Sequence, residues 1–101
     1  AAKAWGVFAG STGVINASYN TTSITRSSAG QYTINHTAGF SSGNYSAVFG
    51  ANPSGSAVFC GHAITSQGST TCSIQTYGVA ATPSVGGQDP DFVTYAMFGD
   101  F

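Results

Sequence analysis

The strongest constraint on the fold is a predicted β-hairpin within residues 20–37. Its return strand, residues 31–36, alternates residues between two faces with the period of two that is typical of a half-buried strand. Gly30 stands before this strand, where a short hairpin turn needs a residue that accepts positive φ. The outgoing strand is predicted at 23–26. One face of the return strand holds Tyr32, Ile34 and His36, and the other holds Gln31, Thr33 and Asn35.

The composition favours strands along the whole chain. Leu and Glu, two residues that long helices commonly use, are absent, whereas Val, Ile, Thr, Tyr and Phe are frequent. Only 5% of the residues are charged, compared with about 25% in ordinary soluble domains. An all-β fold is therefore predicted.

Eight short strands separated by turns rich in Gly, Ser and Pro are expected. They span residues 3–8, 14–19, 23–26, 31–36, 44–49, 57–64, 70–77 and 91–98. Residues 65–69 would form the loop of a second hairpin, and 79–90 is the longest irregular segment. This spacing predicts a single small antiparallel β-sandwich, jelly-roll-like, over residues 1–101.

The low charge also bears on partners. A formal net charge of -1 gives no electrostatic reason to expect nucleic acid or an anionic membrane surface as a partner. No apolar run approaches the roughly 20 residues that a membrane-spanning helix needs, so membrane insertion is not expected. Because a soluble monomer usually carries more surface charge, the deficit favours burial against other subunits, attachment to a large particle, or both.

The strand predicted at 91–98 is apolar on both faces. Phe92, Ala96 and Phe98 share one face, and Val93, Tyr95 and Met97 share the other. A strand that is apolar on both sides is covered on both sides. The expectation is that Val93, Tyr95 and Met97 form a subunit interface.

Three short motifs in the first half of the chain occur in a familiar order. Lys-Ala-Trp at 3–5 is followed by Ser-Ile-Thr-Arg at 23–26 and by Gly-x-Tyr-Thr-Ile at 30–34. This order resembles a domain found at the C-terminal ends of bacteriophage tail fibres and in small phage virion proteins. The resemblance extends over roughly residues 3–48.

The resemblance implies a β-sandwich, commonly trimeric, at the tip of an adhesive fibre. The chain would then be the C-terminal tip of a longer fibre chain, assembled in the host cytoplasm and carried on the virion. Gly6, Val7 and His36 depart from the family pattern, His36 because its position usually holds an aromatic or aliphatic side chain. The second half of the chain matches no pattern, so receptor specificity does not carry over.

The expected function is that of a non-enzymatic tail-fibre tip that binds a bacterial surface polysaccharide or an outer-membrane protein during host adsorption. A structural virion protein, for capsid decoration or fibre assembly, would have the same fold and composition. A third alternative is a free carbohydrate-binding module, which would be monomeric.

Candidate receptor-binding residues lie in the second half of the chain. Gln75 and Tyr77, with Gln88 and Asp89 in the long loop, combine amide and carboxylate groups with an aromatic ring, as sugar-binding surfaces do. No catalytic residue is predicted, because no serine has a recognisable base and oxyanion context and the few carboxylates are not paired.

The two cysteines, Cys60 and Cys72, lie on the two strands of the second predicted hairpin. A three-residue loop would place them directly opposite each other, so both buried free thiols and a disulfide remain open. Cys60 and His62 could also join Cys72 and His36 around zinc. The tight Cys-x2-4-Cys or His-x3-5-His spacing of structural zinc sites is absent, so no metal or other cofactor is predicted.

Overall fold

The structure is a computed structural model that describes residues 2–51, 57–80, 85–87 and 90–100, with the backbone alone for 57–62, 77–80 and 85–87. The described residues form nine strands. In chain order they are β1 (Ala4–Ala9), β2 (Ile15–Tyr19), β3 (Thr21–Ser28), β4 (Gln31–His36), β5 (Ser46–Ala51), β6 (Ala57–Gln67), β7 (Thr71–Ala80), β8 (Val85–Gly87) and β9 (Phe92–Phe98). Over these residues the chain contains no helix that is long and apolar enough to cross a membrane.

The strands form two antiparallel sheets. Sheet A has the order β2-β1-β9-β5, and sheet B has the order β3-β4-β7-β6, with β8 paired to the end of β7. The predicted all-β class and small β-sandwich are therefore confirmed. Strand β8 lies inside the segment 79–90, which was predicted to be irregular.

The second hairpin is longer than predicted. Strand β6 continues to Gln67 and β7 begins at Thr71, so the turn covers 68–70 instead of 65–69. The backbone N–H of Gly68 donates to the carbonyl of Thr71 at 2.8 Å and closes this turn. The longer strands change the register between β6 and β7, with consequences for the cysteines described below.

The core lies between the sheets and is rich in aromatic rings. Phe8 of sheet A packs edge-on against Tyr32 of sheet B, with ring centroids 5.1 Å apart. The buried Tyr32 hydroxyl donates to the carbonyl of Gly10 at 2.7 Å, so one side chain supplies both packing and a polar link between the sheets. The fully or nearly fully buried apolar residues are Ala4, Phe8, Tyr32, Ile34, Phe40, Tyr45, Cys72, Ile74, Val93, Tyr95 and Met97.

Asn20 forms the corner where the chain passes from sheet A to sheet B. Its φ is 56°, in the left-handed region that Asn adopts more readily than other residues with a side chain. The Asn20 side-chain amide donates to the carbonyls of Lys3 and Ala38 at 3.1 and 3.0 Å. Its Oδ1 accepts from the Ala38 N–H at 2.7 Å. The side chain thus joins three segments of the chain at one end of the sandwich.

Gly6 is explained by a close approach between strands. A β-carbon at this position would lie 2.5 Å from the hydroxyl of Tyr95, too close for any side chain without movement. The Tyr95 hydroxyl in turn hydrogen-bonds to the Thr21 hydroxyl on sheet B. Glycine therefore leaves room for a second polar link between the sheets.

Candidate functional site

Two of the four predicted receptor-binding residues lie in the described part of the chain. Gln75 is half-buried on β7, where its neighbours across the sheet are Gln31 on β4 and Ala63 on β6. The backbone of Tyr77 lies two residues further along β7, and its side chain is outside the description. Gln88 and Asp89 lie outside the described residues.

Gln75 belongs to an uncharged polar surface on the outside of sheet B, here called the polar face. Its residues pair across β4 and β7 in successive rows, Gln31 opposite Gln75, Thr33 opposite Ser73 and Asn35 opposite Thr71. Strand β3 extends the rows, because Thr25 lies opposite Thr33 and Ser23 opposite Asn35. The polar face consists of Ser23, Thr25, Gln31, Thr33, Asn35, Thr71, Ser73 and Gln75.

A groove of about 330 Å³ crosses one end of the polar face. Its floor is fixed by a hydrogen bond of 3.0 Å between the Thr33 and Ser73 hydroxyls. The Thr65 hydroxyl adds a bond of 3.2 Å to the Ser73 carbonyl. The side chains that line the groove include Ser27, Gln31, Thr33, Thr65, Ser73 and Gln75.

The groove is chemically suited to binding and has no described group for acid–base catalysis. Its described lining contains hydroxyls and carboxamides and includes no carboxylate, histidine or thiol. Such groups both donate and accept hydrogen bonds, but they do not exchange protons near neutral pH. Sequence reasoning had placed Gln31 and Thr33 on the outer face of their strand, but it did not identify them as site residues.

The outside of sheet A has the opposite character. Tyr19, Trp5, Ala96 and Val48 lie directly opposite one another on the four strands and form one row across the sheet. The large residues of this surface, which we call the apolar face, are between 42% and 56% exposed. They are Trp5, Tyr19, Val48, Phe92 and Phe98.

The three residues predicted to form a subunit interface are core residues of a single chain. Val93 and Met97 are fully buried and Tyr95 is 5% exposed, because this side of β9 faces sheet B. The apolar surface left open by β9 is its other side, which carries Phe92 and Phe98. These three side chains are therefore buried within the single chain and are not available for a subunit contact, a distinction that period-two alternation cannot make for a strand with two apolar sides.

His36 lies in a buried aromatic cluster at the end of the sandwich near Asn20. Its ring packs edge-on against Phe40 and Tyr45, at centroid distances of 5.1 and 5.9 Å. The Tyr45 hydroxyl donates to the carbonyl of Gly68 at 2.9 Å and lies 3.4 Å from Nε2 of His36, with which it shares a hydrogen bond. Nδ1 of His36 is buried and has no hydrogen-bond partner within the described residues.

This environment favours neutral groups. Burial lowers the pKa of His36 from its ordinary value of 6.5, while the backbone of Asn20 acts more weakly in the opposite direction. Burial also raises the pKa of the Tyr45 hydroxyl, and the neighbouring Cys72 adds to this increase. Burial raises the pKa of the Cys72 thiol to about 11, so this thiol is protonated and unreactive at neutral pH.

The register of the second hairpin separates the two cysteines. Cys60 lies opposite Gly78 and Cys72 lies opposite Gln67, six positions apart along the ladder. At about 3.3 Å per residue this is roughly 20 Å, far beyond the Cα separation that a disulfide allows. The disulfide alternative is therefore wrong for a single chain, and Cys72 is a free, buried thiol. No cluster of metal-ligating side chains occurs among the residues whose side chains are described.

Comparison of the chain with family models, curated proteins and solved structures found no match. The resemblance to phage tail-fibre domains therefore rests on the three motifs quoted above.

Proposed function

We propose that this chain is a non-enzymatic receptor-binding domain at the tip of a phage tail fibre, which binds a bacterial surface polysaccharide or outer-membrane protein during host adsorption. The observation that carries the proposal is the groove on the polar face, which offers carboxamides and hydroxyls on a surface without charge. Support also comes from the Lys-Ala-Trp start and the Gly-x-Tyr-Thr-Ile hairpin.

A second element of the proposal is a homotrimer in which the apolar faces meet at a three-fold axis. Sheet A has four strands and is therefore about 19 Å wide at roughly 4.8 Å per strand. Three walls of this width enclose a triangular prism whose sheets lie about 5.5 Å from the axis, close to half of the ~10 Å spacing between packed sheets. One layer of side chains from each copy fills such a prism without a channel.

The proposal places the two faces in different surroundings. Trp5, Phe92 and Phe98 would be desolvated at the subunit contact, whereas Gln31 and Gln75 would face outward toward the host surface. This arrangement accounts for the small number of charged residues without requiring an aggregation-prone surface on the assembled fibre.

Competition for adsorption tests the proposed function. Purified domain, added to host cells before the parent phage, is expected to reduce the adsorption rate in a saturable manner. A matched variant, Gln75→Glu, should compete less well because it introduces a charge into the neutral groove. Absence of competition by folded wild-type domain at saturating concentration would refute the proposed function.

The apolar face also favours a second candidate, a structural virion protein whose only task is attachment within the particle. Immunogold labelling of intact virions separates the two, because only a receptor-binding tip lies at the distal end of the fibre. A free carbohydrate-binding module would instead give a single species of 10.2 kDa in light scattering.

A further inference from the structure

We propose that the groove on the polar face is a subsite for an uncharged sugar unit, held between the carboxamides of Gln31 and Gln75. This inference rests on the proposed function and makes it more specific, because it selects a neutral glycan among the possible receptors. It is argued from the free hydrogen-bonding groups of the groove, its rigidity and its lack of charge.

The two glutamines supply the free hydrogen-bonding groups. They lie directly opposite each other on β4 and β7, where facing β-carbons are about 4.5–5.5 Å apart. Neither carboxamide forms a hydrogen bond within the described part of the chain, whereas the Asn35 amide on the same face donates to the Ser23 and Thr25 hydroxyls at 3.1 Å. Each free carboxamide offers two donors and one acceptor oxygen, which matches the vicinal hydroxyls of a sugar ring.

The floor between the glutamines is held in place before any ligand binds. The Thr33–Ser73 hydroxyl bond and the bond from Thr65 to the Ser73 carbonyl tie three neighbouring strands together. Because these side chains are already ordered, binding loses little conformational entropy there. The groove volume of about 330 Å³ equals that of about eleven liquid waters at ~30 Å³ each, which is room for one sugar ring and the start of the next.

The absence of charge determines the class of sugar. No acidic or basic side chain lines the described groove, so a uronate or phosphate group would lose hydration without gaining a counter-charge. Arg26, on β3, lies opposite Tyr32, an inward-facing residue, and therefore does not belong to the polar face. Neutral units are accordingly favoured over acidic ones.

The groove also distinguishes a sugar from a protein ligand. Protein interfaces are enriched in aromatic residues, Met and Arg at their centres. The described groove lining contains no Met or Arg, and its aromatic residue, Tyr32, is only 1% exposed. Binding through hydrogen bonds alone on an open surface is weak, with an expected Kd of roughly 1 mM for one site. Several copies on one fibre would raise the effective affinity through multivalency.

Titration followed by NMR tests the subsite. Glucose, galactose and N-acetylglucosamine are added separately, up to 100 mM, to the folded domain while the backbone amides of Thr33 and Ser73 are monitored. At least one neutral sugar is expected to shift these amides saturably, and glucuronic acid is expected to bind about tenfold more weakly or not at all. Glutamine variants provide the specificity check: Gln31→Glu and Gln75→Glu should each weaken neutral-sugar binding about tenfold.

The control is Asn16→Asp, which makes the same amide-to-carboxylate change at an exposed position on β2 of the other sheet and should bind as wild type does. The subsite is overturned if no neutral sugar shifts the groove amides of the folded protein, or if both glutamine variants bind as wild type does. Should the domain block adsorption without binding these sugars, the subsite is wrong while the adhesive function stands. Should sugars occupy the groove without any block of adsorption, the proposed function fails and the subsite stands.

Discussion

The outer faces of the two sheets lack charged residues at their described outward positions, yet they differ in every other respect. The apolar face of sheet A presents Trp5, Tyr19 and Phe98, which water solvates poorly. The polar face of sheet B presents hydroxyls and carboxamides, which water solvates well. The lack of charge is therefore combined with poor solvation on one face and with good solvation on the other.

The difference suits the two faces to different kinds of contact. A neutral apolar surface gains free energy when another surface covers it, and neutrality removes the cost of burying ions. A neutral polar surface gains nothing from being covered, but it exchanges hydrogen bonds with a neutral solute at little desolvation cost. We therefore assign subunit contact to one face and ligand contact to the other, and four predictions test this assignment.

The largest effect is expected from a charge placed at the centre of the apolar face. Ala96→Asp puts a carboxylate between Trp5 and Val48, where association would bury it without a partner at a cost of several kcal/mol. The variant should elute as a single chain of 10.2 kDa, whereas wild type should scatter light as an oligomer. Thr33→Asp on the polar face is the control and should keep the wild-type mass. A wild-type domain that is already monomeric would contradict the assignment.

The next largest effect is expected when the hydroxyl of a buried tyrosine is removed, with the same change at an exposed tyrosine as the control. Tyr32→Phe leaves the buried Gly10 carbonyl without its donor and should lower the free energy of unfolding by about 1–3 kcal/mol. Tyr19→Phe, on the apolar face, should change it by less than about 0.5 kcal/mol. Urea denaturation at a protein concentration where both variants are monomeric measures the difference. Equal losses would show that Tyr32 does not link the sheets as described.

A third prediction concerns the pH dependence of stability. Because His36 is buried and lies on neither outer face, its protonation should change the free energy of unfolding of the whole domain. The folded pKa of His36 is lowered, so the unfolded chain takes up its proton first as the pH falls. Stability should be fully present well above pH 6.5 and should decrease as the pH drops below that value. The urea midpoint at pH 8 and pH 5 measures this, and His36→Phe should reduce the dependence. Parallel pH profiles for wild type and variant would rule out His36 as the cause.

The smallest effect is expected from the exposed rings of a monomer. In an Ala96→Asp background, Phe92→Ser should change the free energy of unfolding by less than about 0.5 kcal/mol, since the ring is already partly in water. In the wild-type background the same change should lower the melting temperature increasingly as the protein concentration rises. If Phe92→Ser lowers the melting temperature by the same amount at every protein concentration in both backgrounds, Phe92 stabilises the single chain and does not take part in a subunit contact.

Local patterns were sufficient to predict eight of the nine described strands, with differences at their ends, and they missed β8. The alternation in 31–36 and the turn at Gly30 depend on neighbours in sequence, and the structure has β4 at those residues with Gly30 at a φ of 73°. The polar side of β4 was likewise predicted, and it forms part of the groove. What alternation could not supply was the partner strand, since Gln31 and Gln75 are 44 residues apart in sequence.

Two properties could not be predicted: the register between paired strands, and which side of a strand faces the core. A register shift between Ile64 and Ser66 and the extension of β6 to Gln67 moved Cys60 away from Cys72, and neither has a clear signal in this run of small residues. For β9, both sides are apolar, so only the position of sheet B decides which side is core. These are long-range properties of packing, and a single sequence does not encode them in any local window.

The order of strands in sheet A has a consequence for biosynthesis. Strand β9, Phe92–Phe98, lies between β1 and β5, so it joins two strands that have no contact with each other in the sheet. A nascent chain on the ribosome has already made Trp5 and Val48, but the row across the sheet is incomplete until Ala96 has been added. In the proposed oligomer, neighbouring nascent chains would therefore have no finished apolar face through which to associate. The strand order would delay assembly until β9 has been translated.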